Sequence, residues 1–302
     1  MFYSILHHTR LEYSAPVSEN LVECRMMPRS EGAQRCLAFE LQTDPRSNVL
    51  HYPDHQGNTV HHFDIPRRHE HLLVTARAIV EVVDEFPTIT TPGSELWDEI
   101  GHLTSQGGDY WEDLMPSKFV QTTPALLALA KELNVVRRAD PYTVLGEINA
   151  ALRKKLTHVE TPAVPGTPSL DEALAAKKAT SQDFSHLLIG LARHLGIPAR
   201  YVSGYYFWSA EGHKLADRAA THAWVEACLP GWGWIGFDPT HGTLPTTRHI
   251  RVATGRDSAD VPSTRGVFQG QAERKIETKV TVKELQEGPK HVFSLPVQLD
   301  HH

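Results

Sequence analysis

Cysteine is scarce in this chain of 302 residues, which has only Cys24, Cys36 and Cys228. An odd and scattered set of cysteines excludes the disulfide framework that holds many small secreted domains together. The spacing of the three residues also excludes a cysteine-based zinc site. We therefore expect a reduced, cytoplasmic protein in which the three thiols are small buried apolar groups.

Long apolar runs and blocks of like charge are missing as well. No stretch of about 18 apolar residues occurs, so we expect no membrane-spanning helix. The first residues, MFYSILHHTRLEYSAP, have neither a basic start nor a long apolar centre, and we do not expect them to be a secretion signal. The net charge of −6 is spread along the chain. This argues against a nucleic-acid partner, which would need a clustered basic face.

The residues that are present indicate a packed globular protein, because 40% are apolar and 22% are charged. The first part of the chain has the alternation of strands, and DHQGN at 54–58 has the glycine and asparagine of a hairpin turn. Further along, apolar residues recur three and four apart, as in helices, before strands return after Gly196. The expected fold class is α+β. An antiparallel β domain is expected over residues 1–88 and a catalytic core with C-terminal strands over residues 89–302.

Histidine is abundant, with 19 residues. Two pairs, His61 with His62 and His69 with His71, raise the question of a metal site, and on a strand His69 and His71 would share one face. No third ligand lies at the spacing of a metal-binding motif, so a solvated strand is the favoured interpretation. We expect neither a metal nor an organic cofactor.

Three residues are candidates for a catalytic site: Ser181, His222 and Asp238. Ser181 lies where a loop enters the apolar-striped helix SQDFSHLLIGLARHL. His222 opens the strand THAWVEAC, Asp238 ends the strand GWIGFDPT, and the turn LPGWG joins the two strands. An antiparallel hairpin about this turn makes His222 and Asp238 neighbours.

This set of residues suits acyl transfer. A nucleophile at a helix N-terminus lies beside backbone N–H groups that can bind an oxyanion. A histidine can take its proton, and a carboxylate can hold the imidazole in the useful tautomer. By spacing alone a structural alternative is favoured, in which Ser181 is a helix N-cap, His222 a surface residue and Asp238 a turn former before Pro239.

The segments that hold these residues resemble the transglutaminase-like superfamily in its bacterial form. DHQGNTVHHFDIPRRHEHLLVTARAIVEV is similar to the N-terminal domain of that family, and SQDFSHLLIGLARHLGIPARYVSGYY to its nucleophile helix and following strand. THAWVEACLPGWGWIGFDPTHG is similar to its histidine and aspartate strands, and HIRVATGRDSADVPSTRGVFQG to its C-terminal signature. The resemblance implies a papain-like core after the N-terminal β domain, with nucleophile, histidine and aspartate in that order.

Carried over by position, the resemblance makes His222 the catalytic histidine and Asp238 the catalytic aspartate. It puts Ser181 where the family has a cysteine, in the context ATSQD instead of the usual Gly-Val-Cys-Gln-Asp. Three interpretations stay open: an engineered Cys→Ser change, a natural serine nucleophile, and a natural pseudoenzyme. Ala179 in place of the usual glycine favours a natural variant, and the presence of His222 and Asp238 favours catalysis.

The expected function is therefore acyl transfer on a peptide or isopeptide amide bond. The substrate is a peptide or protein, and the acceptor is water (a peptidase or amidase) or an amine (a transamidase). Gln182 and Trp224 are expected beside the catalytic groups, with Trp224 either shielding the His–Asp pair from water or filling the core. The alternative from another class is a catalytically inactive peptide-binding module.

Overall fold

The computed structural model describes residues 1–84, 93–105, 110–160, 169–208 and 221–288. The chain forms two compact units. The first comprises Met1–Asp84 and the C-terminal part of the chain from Ser263, and the second comprises most of the chain between them.

The secondary structure consists of strands at both ends of the chain and helices concentrated in the middle. The strands are β1 (Phe2–Cys24), β2 (Gln34–Asp44), β3 (Leu50–Pro53), β4 (Thr59–Ile65), β5 (His69–Val82), β6 (Thr157–His158), β7 (Lys178–Ala179), β8 (Ala199–Tyr206), β9 (Thr221–Leu229), β10 (Gly233–Phe237), β11 (His249–Gly255), β12 (Thr264–Gln269) and β13 (Arg274–Leu285). The helices are α1 (Leu96–Ser105), α2 (Pro124–Glu132), α3 (Pro141–Lys155), α4 (Leu170–Ala176) and α5 (Ser181–His194).

The first unit is a sheet built around the long strand β1. Its order is β2-β5-β1-β4-β3, with β12 and β13 also paired to β1, and every pairing is antiparallel. Alternate residues along much of β1 are buried, as expected for a strand with one face on a core. The hairpin turn predicted at 54–58 joins β3 to β4, and Gly57 there has a φ of +75°, which glycine adopts at little cost.

Two features of this sheet differ from the expectations. The expected core over residues 89–302 includes the segments of β12 and β13, but both strands pair with β1 and lie in the first unit. Such pairing is set by tertiary packing, which a local pattern does not contain. In addition, the pairing of β5 with β1 is irregular near His69 and His71, and His69 is buried while His71 is exposed. The two rings therefore do not form a shared histidine face.

The second unit packs helices against a four-stranded antiparallel sheet of order β10-β9-β8-β11. Helix α5 contacts β8 and β9, and its residues 183–192 are all buried, as expected for a helix in the centre of a core. An α+β fold with an N-terminal antiparallel β domain is thus confirmed. None of the described helices is both long enough and apolar enough to cross a membrane.

Candidate active site

The N-terminus of α5 positions Ser181. The N-cap is Thr180, whose hydroxyl accepts a hydrogen bond from the backbone N–H of Asp183, while the Asp183 carboxylate accepts one from the backbone N–H of Thr180 at 2.8 Å. This reciprocal capping satisfies two donors of the first turn. Ser181 is the first helical residue and is partly buried. The interpretation of Ser181 as the N-cap is therefore wrong.

The hairpin of β9 and β10 brings His222 to Asp238. The two strands pair in register up to Val225 and Phe237, and Gly231 in the connecting turn has a φ of +74°, a conformation that favours glycine. Asp238 follows directly after the last pair, and its Oδ2 lies 2.8 Å from Nε2 of His222. Both side chains are buried. The two residues that the turn makes neighbours are in hydrogen-bond contact.

Asp238 is the centre of a larger cluster. Its Oδ2 also lies 2.6 Å from Nδ1 of His241 and 3.0 Å from Nε2 of His249, and its Oδ1 accepts the backbone N–H groups of Thr240 and His241. Burial would raise the pKa of Asp238, but the hydrogen bonds from the three histidines outweigh burial and hold that pKa far below its usual range. The carboxylate is therefore ionised at neutral pH.

His249, the first residue of β11, has a defined tautomer. The backbone N–H of Thr246 donates to Nδ1 of His249 at 2.9 Å. In the neutral ring Nε2 must then carry the proton and donate it to Asp238. Burial lowers the pKa of His249 although Asp238 acts to raise it, so the ring is neutral at neutral pH. His249 is thus an N–H donor that orients the carboxylate.

His241 lies at the outer side of the cluster, with 29% of its side chain exposed. Its ring stacks on Tyr206, with 5.1 Å between centroids and 25° between planes. Tyr206 ends β8 and also contacts the rings of His222 and His249, at 5.4 and 4.8 Å. One aromatic ring therefore supports all three histidines that reach Asp238.

Trp224 lies behind this cluster and is buried. Its ring centroid is 6.2 Å from that of His222 and 5.2 Å from that of His249. Gly204 on β8 makes room for it, because a Cβ at that position would come within 2.5 Å of the indole and 2.3 Å of the Ile250 carbonyl oxygen. Trp224 thus packs beside the histidines, whereas Gln182 is exposed at the start of α5.

His158 lies on a strand next to the segment that leads into α5, and it interacts electrostatically with His222 and His241. In β6 it pairs with Ala179, two residues before Ser181. Burial lowers the pKa of His158, and the charges that His222 and His241 would carry lower it further. His158 is therefore within electrostatic reach of His222 and His241.

Among the described residues no hydrogen bond joins Ser181 to His222. The ring nitrogen of His222 that faces Asp238 is Nε2, which leaves Nδ1 as the nitrogen for a nucleophile. Hydrogen bonds between a nucleophile and its base are often long in structures without substrate. The structure therefore places His222 and Asp238 together and Ser181 at the helix start that the sequence indicates.

The cysteines do not provide a thiol for this site. Cys24 and Cys228 are buried, and Cys36 is half-buried. Burial raises the pKa of the Cys24 thiol to about 12 and that of Cys36 to about 11, and it also raises the pKa of Cys228. A thiol in such surroundings is protonated and unreactive at neutral pH.

Two members of the cluster, His241 and His249, are not indicated by the sequence patterns. A signal for His241 exists, because it lies three residues after Asp238 in DPTH, close enough for its side chain to return to the carboxylate. His249 reaches the site through the pairing of β11 with β8, where it lies opposite Tyr206. That pairing joins distant parts of the sequence and leaves no local pattern.

Comparison with known proteins identifies relatives of both parts of the chain. The profile of the bacterial transglutaminase-like N-terminal region matches residues 3–81, and that of the transglutaminase-like superfamily matches residues 128–239. An uncharacterized protein of Mycobacterium tuberculosis is 30% identical over 285 residues, which are 91% of this chain and 90% of that protein. The protein-glutamine gamma-glutamyltransferase of Pseudomonas aeruginosa is 27% identical over 140 residues, 45% of this chain and 20% of that enzyme.

A solved structure shares the fold over nearly the whole chain. The crystal structure of a candidate cysteine protease from Cytophaga hutchinsonii has a TM-score of 0.71 at 20% identity, and the match covers 96% of this chain and 93% of that one. The two profiles follow one another in this chain, and the mycobacterial relative matches almost end to end. The chain therefore belongs to the bacterial transglutaminase-like superfamily.

Proposed function

We propose that this protein catalyses acyl transfer on an amide bond of a peptide or protein substrate, through Ser181, His222 and Asp238. The observation that carries the proposal is the buried hydrogen bond of 2.8 Å between Nε2 of His222 and Oδ2 of Asp238. In this pair the neutral imidazole donates from Nε2, so Nδ1 is its basic nitrogen. Membership of the transglutaminase-like superfamily supports the reaction class.

The proposed reaction begins with a proton transfer from the Ser181 hydroxyl to Nδ1 of His222 as Ser181 attacks the amide carbonyl carbon. Backbone N–H groups of the first turn of α5 stabilise the negative oxygen of the tetrahedral intermediate. His222 then returns the proton to the leaving amine, and an acyl-enzyme ester on Ser181 remains. Water or a second amine releases the acyl group by the reverse sequence of steps.

The serine makes Asp238 more important than it would be beside a cysteine. A thiol next to a histidine and a helix N-terminus can rest as a thiolate. A serine hydroxyl keeps its proton until the moment of attack, so His222 becomes charged only during the reaction. The ionised Asp238 stabilises that charge and holds the ring in the required tautomer.

A serine-reactive fluorophosphonate tests this proposal on the full-length protein. The rate of labelling is followed with time, and the modified residue is identified by mass spectrometry. We expect the label on Ser181, no label in Ser181→Ala, and a decrease in rate of roughly 10³-fold or more in His222→Ala, because the base is lost. Rapid labelling that survives His222→Ala would contradict the proposal.

Ser169 offers a matched control. It is the N-cap of α4, with the same reciprocal capping as at α5, so it is a second serine at a helix start. A helix N-terminus without a base does not activate a hydroxyl. Ser181 in the Ser169→Ala variant should therefore be labelled at the wild-type rate. Label on Ser169 in wild type would show that the reagent reacts with serines at helix N-termini in general and does not identify a catalytic site.

The serine at position 181 also favours a second candidate function, a peptide-binding module without catalysis. In that case wild-type protein does not react with the fluorophosphonate. Ser181→Cys would then decide whether the remaining site can still activate a nucleophile, because a thiolate beside His222 is alkylated faster than the buried native thiols. Fast alkylation of the new cysteine, together with an unreactive wild type, would support a site that has lost catalysis by the serine.

A further inference from the structure

More nitrogen atoms surround the carboxylate of Asp238 than it can accept hydrogen bonds from. An ionised carboxylate offers about four lone-pair positions. The backbone N–H groups of Thr240 and His241 use Oδ1, at 3.0 and 3.3 Å. Three imidazole nitrogens then converge on Oδ2, at 2.8, 2.6 and 3.0 Å. One imidazole nitrogen is therefore in excess.

His249 is not the ring in excess. The backbone N–H of Thr246 occupies its Nδ1, so its Nε2 is a donor to Asp238 and has no lone pair to offer. His222 also donates from Nε2 in the tautomer that the proposed function uses, so the excess nitrogen is Nδ1 of His241. The ring centroids of His222 and His241 lie 5.2 Å apart. An imidazole nitrogen that cannot donate a proton to the carboxylate presents its lone pair instead. A metal cation can accept that lone pair.

We propose that His222, His241 and Asp238 bind a divalent transition-metal ion of the zinc type. The ligand atoms of these three residues and of His249 all lie within 4.8 Å of one another. Two imidazole nitrogens and one carboxylate oxygen form a donor set that zinc accepts, with a fourth position for water. Ligand atoms at zinc bonding distances lie roughly 3.3 Å apart, so the contacts with Asp238 need to open by only a fraction of an ångström.

Residues around the three ligands donate hydrogen bonds to Asp238, as outer residues do at metal sites. His249 and the backbone N–H of Thr240 donate to Asp238, and such bonds fix the orientation of a ligand. The Thr240 hydroxyl is buried and has no hydrogen-bond partner among the described residues, so it can bond to a metal-bound water. The partial exposure of His241 gives an ion a route to the site.

Metal binding would inhibit the acyl transfer proposed above, and this part of the inference rests on that function. An ion bonded to Nε2 of His222 leaves the neutral ring protonated at Nδ1. The ring then cannot take a proton from Ser181. The ion also engages Oδ2 of Asp238, which is then no longer free to stabilise a charged His222. The metal is therefore a reversible inhibitor of this site and not its cofactor.

Zinc chloride is the probe for the site. Full-length protein is stripped of metal with a chelator, and its zinc affinity and stoichiometry are measured by calorimetry and by elemental analysis. We expect one tight site per wild-type chain and at least about tenfold weaker binding in His241→Asn, because a ligand is lost. His249→Gln is the matched control. Its amide still donates to Asp238, so its zinc affinity should stay within about threefold of wild type.

Two results would overturn the site. The first is a wild type that binds no zinc, or binds it no more tightly than His241→Asn. The second is a loss of affinity in His249→Gln as large as that in His241→Asn, because it would show that the effect comes from disturbed packing and not from a missing ligand. Circular dichroism of each variant checks that the fold is retained.

The metal site and the proposed function can fail separately. Zinc affinity is also measured on Ser181→Ala, where we expect the wild-type value because the serine is not a ligand. In wild type, zinc should slow fluorophosphonate labelling at the concentration that fills the site, and chelator should restore it. A protein that binds zinc but never labels overturns the proposed function and supports the metal site, and a protein that labels but binds no zinc does the reverse.

Discussion

His61 in the first unit and His222 in the second are both buried histidines on antiparallel strands, but their surroundings are opposite. His61 packs against the rings of Phe39 and His51, at 4.8 and 5.7 Å, and its Nδ1 has no hydrogen-bond partner within the described ranges. Burial, together with the nearby His51, lowers its pKa to about 4. His222 instead faces the ionised Asp238. The two buried rings therefore differ in their neighbours: aromatic rings contact His61, and an ionised carboxylate contacts His222.

The largest effect is expected when the Asp238 carboxylate, which distinguishes the surroundings of His222 from those of His61, is removed. In Asp238→Asn the three imidazoles lose their charged acceptor, and the new amide adds N–H donors to a cluster that already has too many. We expect a loss of about 3–5 kcal/mol in the free energy of unfolding and a decrease in fluorophosphonate labelling of roughly 10⁴-fold, as when the acid of a serine triad is replaced by its amide. Urea denaturation and labelling kinetics at neutral pH measure the two effects.

Asp64 provides the control for this change, because it is an exposed carboxylate in the first unit. Asp64→Asn should alter the free energy of unfolding by less than about 0.5 kcal/mol. If Asp238→Asn were as stable as Asp64→Asn, the stability of the histidine cluster would not depend on the charge of Asp238. The contrast between His61 and His222 would then have no energetic basis.

A smaller effect is expected when one donor to Asp238 is removed. His249→Phe keeps an aromatic ring beside Trp224, but it loses the N–H that orients the carboxylate. A hydrogen bond to a charged group is worth about 1.5–3 kcal/mol, so labelling of Ser181 should slow by roughly 10–100-fold. His249→Gln should recover most of the rate, because its amide can donate to Asp238.

The readout for this pair is the labelling rate as a function of pH, together with the proton resonance of His222 Nε2–H. Loss of orientation should reduce the rate at every pH and weaken that resonance in His249→Phe alone. Equal rates in the phenylalanine and glutamine variants would mean that the hydrogen bond to Asp238 has no role and that His249 acts by packing.

The sequence predicts those parts of the site that local geometry determines. The glycines of LPGWG indicate a hairpin, and the hairpin makes His222 and Asp238 neighbours, as the structure has them. The apolar stripe of α5 likewise predicts a core helix that begins at Ser181. In the first unit, the turn at 54–58 defines β3 and β4 in the same way.

The parts that sequence reasoning misses depend on contacts between distant segments. His249 reaches Asp238 only because β11 pairs with β8, and β12 and β13 join the first unit only because β1 accepts them as partners. Of β11, β12 and β13, only β13 has a pattern that predicts a strand, and no pattern indicates the pairing partner, since pairing is decided by the packing of the whole sheet. The alternative with Ser181 as the N-cap fails by one residue, because Thr180 is the N-cap and Ser181 is the first helical residue.

The smallest expected effect concerns the first unit and depends on pH. The pKa of His61 is lowered to about 4 by burial and by His51, so the folded protein keeps the ring neutral while the unfolded chain takes up a proton below about pH 6.5. The free energy of unfolding therefore falls as the pH decreases from about 6.5 to about 4. His61→Phe removes this loss. The difference in free energy of unfolding between His61→Phe and wild type should therefore shift in favour of the variant by about 1–2 kcal/mol from pH 8 to about pH 5.

Urea denaturation of wild type and His61→Phe at the two pH values measures this difference directly. His71→Phe is the control, because His71 is exposed in the same sheet. A difference between the two pH values in His71→Phe as large as that in His61→Phe would show that the effect does not come from burial. If His61→Phe showed the same pH dependence as wild type, the His61 ring would already hold a proton in the folded sheet. A buried histidine would then need no carboxylate to carry charge in this protein, and the contrast between His61 and His222 would rest on hydrogen bonding alone.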